Sequence, residues 1–204
     1  MRRYGFYIDT ANCSGCKTCQ VACQDKNDLE PGLLWRKVLE IEGGEWANEK
    51  GVFTSYPFAY HISLSCNHCS DPLCVHSCPT QAMHITDSGT VDIDQGKCIG
   101  CGYCTWACPY DAPRLDQRSG RMSKCDMCYD KISNNENPSC VDACPMRALD
   151  FGYLDELQKK YGGLQSVYPL APPEITRPSV VMSPHKDSLE ASDKNSRLAN
   201  KEEL

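Results

Sequence analysis

The chain has 204 residues, a formal net charge of −6 and a mean hydropathy of −0.49. This length can bury one sizeable core or two small ones, and no apolar run is long enough to span a bilayer. The acidic balance argues against nucleic acid as a partner.

The N-terminal third combines one cysteine group with strand-like runs. Residues 4–9, YGFYID, predict a strand that leads into this group. Pro31 and Gly32 then break the pattern. Within residues 33–64, the runs LLWRKVLEI and VFTSYPFAYHISL predict an inserted β segment, whose aromatic side chains we expect to be packed. Group one consists of Cys13, Cys16, Cys19 and Cys23.

The middle of the chain has two cysteine groups on either side of a predicted hairpin. The hairpin strands lie in AMHITDSGTVDID, with a turn at Asp87, Ser88 and Gly89. The third group, CIGCGYCTWACP, has the CxxCxxCxxxCP spacing of bacterial ferredoxins. Residues 66–116 therefore have the order of a complete two-cluster ferredoxin. Group two consists of Cys66, Cys69, Cys74 and Cys78, and group three of Cys98, Cys101, Cys104 and Cys108.

The last cysteine group belongs to a repeated unit. The segments CPTQAMHI, CPYDAPRL and CPMRALDF each have Pro directly after a final cysteine and Ala three residues later. Pro turns the chain away from a bound group, and a small Ala permits close packing against it. After the third copy, LDFGYLDELQKKYG predicts a short strand and an amphipathic helix that ends at Gly162. Group four consists of Cys125, Cys128, Cys140 and Cys144.

The four groups use all sixteen cysteines and predict four [4Fe-4S] clusters. Disulfides are an alternative, but the CxxC pairs are regular. No apolar signal segment comes before Cys13. We therefore expect the cysteines to stay reduced and to bind metal, which is the usual meaning of this pattern in a reducing compartment. For group four alone zinc also fits, because eleven residues separate Cys128 from Cys140.

In such ferredoxins, three cysteines of a group bind one cluster and the fourth usually binds its neighbour. If groups two and three form one module, groups one and four form the other. The competing pairing, one with two and three with four, stays open, although 42 residues separate Cys23 from Cys66 and only 19 separate Cys78 from Cys98. The expected ligand sets are site 1, Cys13, Cys16, Cys19 and Cys144; site 2, Cys125, Cys128, Cys140 and Cys23; site 3, Cys66, Cys69, Cys74 and Cys108; and site 4, Cys98, Cys101, Cys104 and Cys78.

Several motifs together resemble one family: YGFYID, CSGCKTCQVAC, FAYHISLSCNHCSDPLC, CIGCGYCTWACPYDAP, KCDMCYD and CPMRALDFG. From residue 4 to about 180, the chain resembles the iron–sulfur (B) subunits of the anaerobic dimethyl sulfoxide reductase type, within the broader set of four-cluster subunits of molybdenum enzymes. The resemblance implies a double ferredoxin fold, four [4Fe-4S] clusters and the ligand sets given above. In related subunits Trp replaces one group-three cysteine and leaves a [3Fe-4S] centre, whereas Cys101 and its neighbours are all present here.

We therefore expect an α+β fold with tandem ferredoxin-like modules, an inserted β segment and an extended C-terminal tail. Residues 1–32 and 117–171 would form the first module, residues 33–64 the insertion and residues 65–116 the second module. Residues 172–204 are rich in Pro, Ser and charged side chains. We expect this tail to be extended or disordered, with ITRPSVVM draped over a partner and disorder beyond about residue 187.

The resemblance implies electron transfer without catalysis. In such complexes the subunit lies between a catalytic subunit that holds molybdopterin and a membrane subunit that oxidises quinol, and a sulfoxide or N-oxide is reduced. We expect attachment to the inner membrane through these partners, at the outer (periplasmic) face, with the cytoplasmic face as the alternative. The same role in a formate dehydrogenase, hydrogenase, polysulfide or nitrate reductase complex is one alternative function. A zinc-binding structural protein is another.

Basic side chains near the groups can offset cluster charge, and nearby histidines can hydrogen-bond a cluster. The histidines are His68, His76 and His84. The basic residues are Lys17, Lys97, Arg114, Arg121, Lys124, Lys131 and Arg147.

Overall fold

The computed structural model describes residues 2–189, 191 and 195–203, which form short helices and four small sheets. In this part of the chain no helix has both the length and the apolar character needed to cross a bilayer. The strands are β1 Tyr4–Asp9, β2 Arg36–Glu49, β3 Val52–Ser65, β4 Met83–Ile85, β5 Val91–Ile93, β6 Arg114–Asp116, β7 Arg121–Ser123, β8 Leu149–Tyr153, β9 Val180–Ser183 and β10 Arg197–Leu198. The α-helices are α1 Thr18–Lys26, α2 Leu73–His76, α3 Tyr103–Ala107, α4 Tyr129–Ile132, α5 Ser139–Asp142 and α6 Leu154–Tyr161.

A three-stranded sheet joins distant parts of the chain. Its central strand is β1, which pairs antiparallel with β8 and parallel with β9. Phe6, Tyr7 and Ile8 are at most 5% exposed, so β1 is buried on both faces, as its nearly continuous apolar sequence requires. The sheet therefore brings the strand before group one against the strand after group four.

Helix α6 covers one face of this sheet. Leu157 is 3% exposed and packs with Tyr7 and Val181. The Tyr7 ring stacks on Tyr161 with 3.6 Å between centroids. Gly162, at φ 73°, ends the helix in a conformation that favours glycine. The predicted strand, helix and glycine stop at this point of the chain are confirmed.

The C-terminal segment folds against its own chain, which differs from the expected extended or disordered tail. Val180, Val181 and Met182 are at most 1% exposed within β9. This short apolar run completes the sheet beside β1, where its burial offsets the entropy of ordering it. Farther on, Lys186–Leu189 forms a 3-10 turn and β10 pairs with β2. The expected disorder at residues 190, 192–194 and 204 lies outside the described residues.

Strands β2 and β3 form a hairpin with a buried base and an exposed tip. Near the base, Ile41 and Ile62 have no exposed surface and belong to the same core as β1. At the tip, Trp46 is 72% and Phe53 67% exposed. The expectation that these aromatic side chains are packed is therefore wrong for the tip, because the 14-residue strands extend beyond the surfaces that could cover them.

The apolar interior divides into one large and two small clusters. The large cluster includes β1, the base of the β2–β3 hairpin and six buried cysteines. One small cluster contains Met83, Val91 and Met122, from the hairpins β4–β5 and β6–β7, with Cys74 and Cys104. The hairpin predicted between groups two and three is β4–β5.

Candidate metal centres

All four cysteine groups contain the same backbone turn. In each CxxC pair, the residue before the second cysteine has a left-handed φ: 70° at Gly15, 41° at His68, 67° at Gly100 and 62° at Met127. Two of these residues are glycines, which adopt this conformation readily. The other two, His68 and Met127, are at most 1% exposed, so the surrounding packing holds them there.

The CPxxA repeat forms a second recurring turn. The residue before the alanine has a left-handed φ in all three copies, at Gln81, Asp111 and Arg147. The alanines that follow are buried, with at most 6% exposure. In the first copy, the Met83 N–H donates to Cys78 Sγ at 3.4 Å. In the first copy the turn thus directs a backbone donor towards the final cysteine of its group, and in all three copies it is followed by a buried alanine.

All sixteen cysteines carry free thiols, and the four of site 1 line one cavity. Burial raises the pKa of Cys13 to about 11. The thiolates that add to this rise belong to Cys19, Cys144 and Cys16. Group one is therefore joined by the last cysteine of group four.

The thiols of site 2 also lie close together. Burial raises the pKa of Cys23 to about 12. Arg36 opposes this rise, whereas the thiolates of Cys140 and Cys128 add to it. Burial also raises the pKa of Cys125 well above its usual value, and Cys23 and Cys140 contribute to that shift.

The thiols of groups two and three also influence one another across the two groups. At site 3, burial raises the pKa of Cys74, and the thiolates of Cys66 and Cys108 add to the rise. At site 4, burial raises the pKa of Cys104 to about 11, with contributions from Cys101 and Cys78. The last cysteine of each of these two groups therefore lies near thiols of the other group.

The fit of an iron–sulfur cluster is clearest at site 1. Its four thiols line a single cavity with Ser63, Ala148 and Leu149. An all-sulfur donor set is soft and suits iron–sulfur clusters or zinc. Within residues 2–189, 191 and 195–203, no three His, Cys, Asp or Glu side chains converge as a single ion requires. The four thiols line one cavity, as the ligands of an iron–sulfur cluster would.

Several groups near the sulfurs are hydrogen-bond partners. The Ser63 hydroxyl lies 3.1 Å from Cys19 Sγ, and the Thr18 hydroxyl lies 3.3 Å from Cys16 Sγ. Backbone N–H groups donate at 3.4 Å to Cys98 Sγ and Cys125 Sγ. Donors of this kind stabilise charge on a ligating sulfur and adjust the reduction potential of the bound cluster.

Two thiols reach the surface. Cys16 of site 1 and Cys101 of site 4 are exposed, whereas the other cysteines are buried or half-buried. Around Cys101, Ile99 is 65% and Trp106 81% exposed. Sites 1 and 4 therefore lie near the surface, and sites 2 and 3 lie inside.

The basic residues predicted from the sequence occupy different environments. Lys124 is buried at 3% exposure and donates to the backbone carbonyls of Val91 and Cys125. By contrast, the Lys97 side chain is 63% exposed and pairs with Asp94. Lys17, Arg114 and Lys131 also pair with carboxylates.

The three histidines near group two also occupy different environments. His68 is buried, and its Nδ1 accepts a hydrogen bond from the Val91 N–H at 3.1 Å. The exposed His76 pairs with Asp71. His84 lies with its Nδ1 3.0 Å from the carbonyl oxygen of Ala82.

Arg36 was not among the residues predicted from the sequence. It is 1% exposed at the start of β2; burial lowers its pKa, but the thiolates of Cys140 and Cys19, among others, leave the pKa raised overall. It belongs to the predicted insertion, where no cysteine draws attention to it. The two-residue alternation of a strand could have identified it as buried, because Arg36 lies on the same strand face as the buried Val38.

Comparisons with known proteins identify the family of the sequence. Residues 57–154 match the model of the 4Fe-4S dicluster domain family. The sequence is 47% identical to the B subunit of the anaerobic dimethyl sulfoxide reductase of Escherichia coli over 202 residues, which cover 99% of this sequence and 98% of that protein. It is also 47% identical to the corresponding B subunit of Haemophilus influenzae, with 100% of both proteins covered.

A more distant relative belongs to a different reductase. The thiosulfate reductase electron transfer subunit of Salmonella typhi is 36% identical over 168 residues, which cover 81% of this sequence and 84% of that protein. The identity to the dimethyl sulfoxide reductase subunits is higher and extends over almost the whole sequence. The chain therefore belongs to the family of iron–sulfur (B) subunits of anaerobic dimethyl sulfoxide reductases.

Proposed function

We propose that this chain is the electron-transfer subunit of an anaerobic respiratory complex. It relays electrons from a quinol-oxidising membrane subunit to a molybdopterin catalytic subunit that reduces dimethyl sulfoxide or N-oxides. Membership of the iron–sulfur (B) subunit family, across nearly the full length of both proteins compared, is the observation that carries this function. The chain itself performs no substrate chemistry.

The cofactors of this proposal are four [4Fe-4S] clusters, which when bound supply reversible one-electron chemistry. The ligand sets are those of sites 1 to 4. The mutual effects of the thiolates on one another's pKa values support each set, because every set joins three cysteines of one group with the last cysteine of another. We also propose that the fold is a tandem of two ferredoxin modules, with the β2–β3 hairpin as an insertion.

Electrostatic effects between the thiolates of neighbouring sites, and one packing contact, support a linear order from 1 to 4. Cys140 of site 2 raises the pKa of Cys19 in site 1, and Cys66 of site 3 raises the pKa of Cys125 in site 2. Cys74 of site 3 and Cys104 of site 4 pack in one small apolar cluster. Because electron tunnelling weakens steeply with distance, a closely spaced series replaces one long transfer with several short ones.

The two exposed ends of the series suit contact with two different partners. Cys16 at site 1 and Cys101 at site 4 reach the surface, so electrons can enter at one end and leave at the other. We propose that the chain is held peripherally on the inner membrane by these partners, at the periplasmic face.

The function is tested in the assembled complex, purified anaerobically. We expect about sixteen iron atoms per chain, reduction of the clusters by a quinol analogue, and rapid reoxidation after addition of dimethyl sulfoxide. Thiosulfate, polysulfide and nitrate serve as comparison oxidants. A complex whose clusters are reoxidised only by one of these would have a different terminal reaction, and a colourless complex without iron would contradict electron transfer.

The ligand sets need a separate test. Cys144→Ser and Cys13→Ser should alter the same cluster signal in low-temperature electron paramagnetic resonance, because both residues are assigned to site 1. If Cys144→Ser alters the signal that Cys98→Ser alters, group four pairs with group three and the competing arrangement is correct.

A further inference from the structure

Arg36 is a buried arginine whose polar contacts are all with hydroxyl and carbonyl groups. Its Nη1 donates to the Ser63 carbonyl oxygen at 3.0 Å and to the Ser63 hydroxyl at 3.1 Å, and its Nη2 donates to the Ser65 hydroxyl at 3.0 Å. Its guanidinium also lies over the Phe6 ring, 4.7 Å from the centroid. These neutral partners fix the position of the guanidinium but do not balance its charge.

The strand that carries Arg36 packs against helices that carry ligands of both sites. Strand β2 packs against α1, where the Val38 N–H donates to the Gln20 side chain at 3.2 Å, between Cys19 of site 1 and Cys23 of site 2. Helix α1 also packs against α5, which carries Cys140 of site 2.

The electrostatics of Arg36 agree with this placement. Burial lowers its pKa, but the thiolates of four cysteines oppose this and leave the pKa raised overall. One belongs to site 1 and three belong to site 2. In decreasing order of effect they are Cys140, Cys19, Cys125 and Cys23. Arg36 therefore lies at the boundary between the two ligand sets.

The β2–β3 hairpin holds the guanidinium at this boundary. Arg36 pairs with Ser65 in the strand register, and Val38 pairs with Ser63, so the two serines lie directly and diagonally across from Arg36. The Ser63 hydroxyl accepts from Arg36 and lies 3.1 Å from Cys19 Sγ, to which it can donate its own proton. A continuous chain of hydrogen bonds thus connects Arg36 with a ligand of site 1.

We propose that Arg36 is a positioning residue for electron transfer: a fixed, buried cation shared by sites 1 and 2 that raises the reduction potentials of the two clusters bound there. This inference rests on the proposed function, because it requires clusters at those sites. It also gives the base of the β2–β3 hairpin a role in the electron-transfer path.

The direction of the effect follows from electrostatics. A [4Fe-4S] cluster with four thiolates carries a net negative charge, and reduction adds one more. A nearby cation stabilises the reduced form more than the oxidised form, and the effect is strong where water is excluded. The four thiolates that act most strongly on Arg36 all belong to sites 1 and 2, so the potentials at sites 3 and 4 should depend on it much less.

The test compares Arg36→Met and Arg36→Lys in the intact complex. Potentiometric titration followed by low-temperature electron paramagnetic resonance resolves the individual clusters. We expect two of the four midpoint potentials to fall in Arg36→Met, while Arg36→Lys keeps all four close to the wild-type values because it keeps the charge. The matched control is Arg118→Met, which removes an arginine that is 46% exposed and paired with Asp28.

If Arg36→Met does not retain its clusters, the iron content of the variant provides a second measurement. We then expect loss of about half of the sixteen iron atoms, confined to sites 1 and 2, with full iron in Arg36→Lys. The proposal is overturned if Arg36→Met keeps its iron and all four potentials, or if all four fall equally. It is also overturned if Arg36→Lys loses as much iron, or shifts as far, as Arg36→Met, since the role would then lie in the guanidinium shape.

Failure of the proposed function would have a different signature. A wild-type complex without about sixteen iron atoms, or without quinol-reducible clusters, would contradict electron transfer itself. A wild-type complex with four reducible clusters and an unresponsive Arg36→Met variant would contradict only the role of Arg36.

Discussion

Individual small residues shape the ligand sites as much as the cysteines do. Ala82, Ala112 and Ala148 stand at the same position of the CPxxA repeat, each after a residue with left-handed φ and each nearly fully buried. At site 1, Ala148 lines the cavity that the four thiols share. The repeat therefore preserves a small side chain at the wall of a ligand site as well as a backbone turn.

Replacing Ala148 with leucine should exclude the cluster of site 1. The added atoms would enter the space between the thiols, and overpacking elsewhere in a protein core costs about 1–3 kcal/mol. We expect Ala148→Leu to lose about a quarter of the iron, measured by iron and acid-labile sulfide per chain. Ala59→Leu on the exposed part of β3 is the matched control and should keep all of it. Full iron in Ala148→Leu would show that this alanine does not bound the site.

At the level of elements, the sequence predicts the local structure around the cysteines better than the structure farther away. The strand at 4–9, the hairpin β4–β5 and the helix α6 follow from their own periodicity and turn residues. The position of β9 does not, because VVM is short and lies in a polar, proline-rich segment. Arg36 was missed for a related reason, since its partners Ser63 and Ser65 come from the opposite strand. Both the position of β9 and the burial of Arg36 depend on pairing with strands elsewhere in the sequence.

The C-terminal strand should be essential to the stability of the sheet. Val181 has no exposed surface and packs against Tyr7 and Leu157. We expect Val181→Asp to lower the free energy of unfolding by on the order of 3–5 kcal/mol, because it buries an unpaired charge. The measurement is the urea midpoint of the anaerobic holoprotein. Leu189→Asp, at a side chain that is 67% exposed, should leave the midpoint nearly unchanged. Equal midpoints for the two variants would show that β9 contributes little.

Across the whole molecule, side chains from three distant segments fasten the loop of group two and the neighbouring boundary between sites 2 and 3. Arg3 donates to the carbonyl oxygens of His68 and Cys69 at 2.9 and 3.0 Å. The Ser179 hydroxyl donates to the His68 carbonyl oxygen at 2.9 Å. Lys124 joins the carbonyl oxygens of Val91 and Cys125, which lie on either side of the boundary between sites 2 and 3. The spacing of these two sites therefore depends on a few buried donors.

Removal of the Lys124 ammonium should loosen this junction. In Lys124→Met the two carbonyl groups lose a buried donor, which costs about 1–3 kcal/mol for each group left without a partner. We expect faster hydrogen exchange of the β4–β5 amides, measured by mass spectrometry on the anaerobic holoprotein, with little change in the β1–β8–β9 sheet. A slower exchange of electrons between sites 2 and 3 should accompany it, because the distance between them is no longer fixed.

The control for this variant is Lys97→Met, which removes an exposed ammonium that pairs with Asp94. Exposed ion pairs contribute about 0–1 kcal/mol, so this variant should exchange hydrogen like the wild type. If the β4–β5 amides of Lys124→Met are as protected as those of Lys97→Met, the junction does not depend on the buried ammonium. The apolar contacts of the two halves would then have to hold sites 2 and 3 together without it.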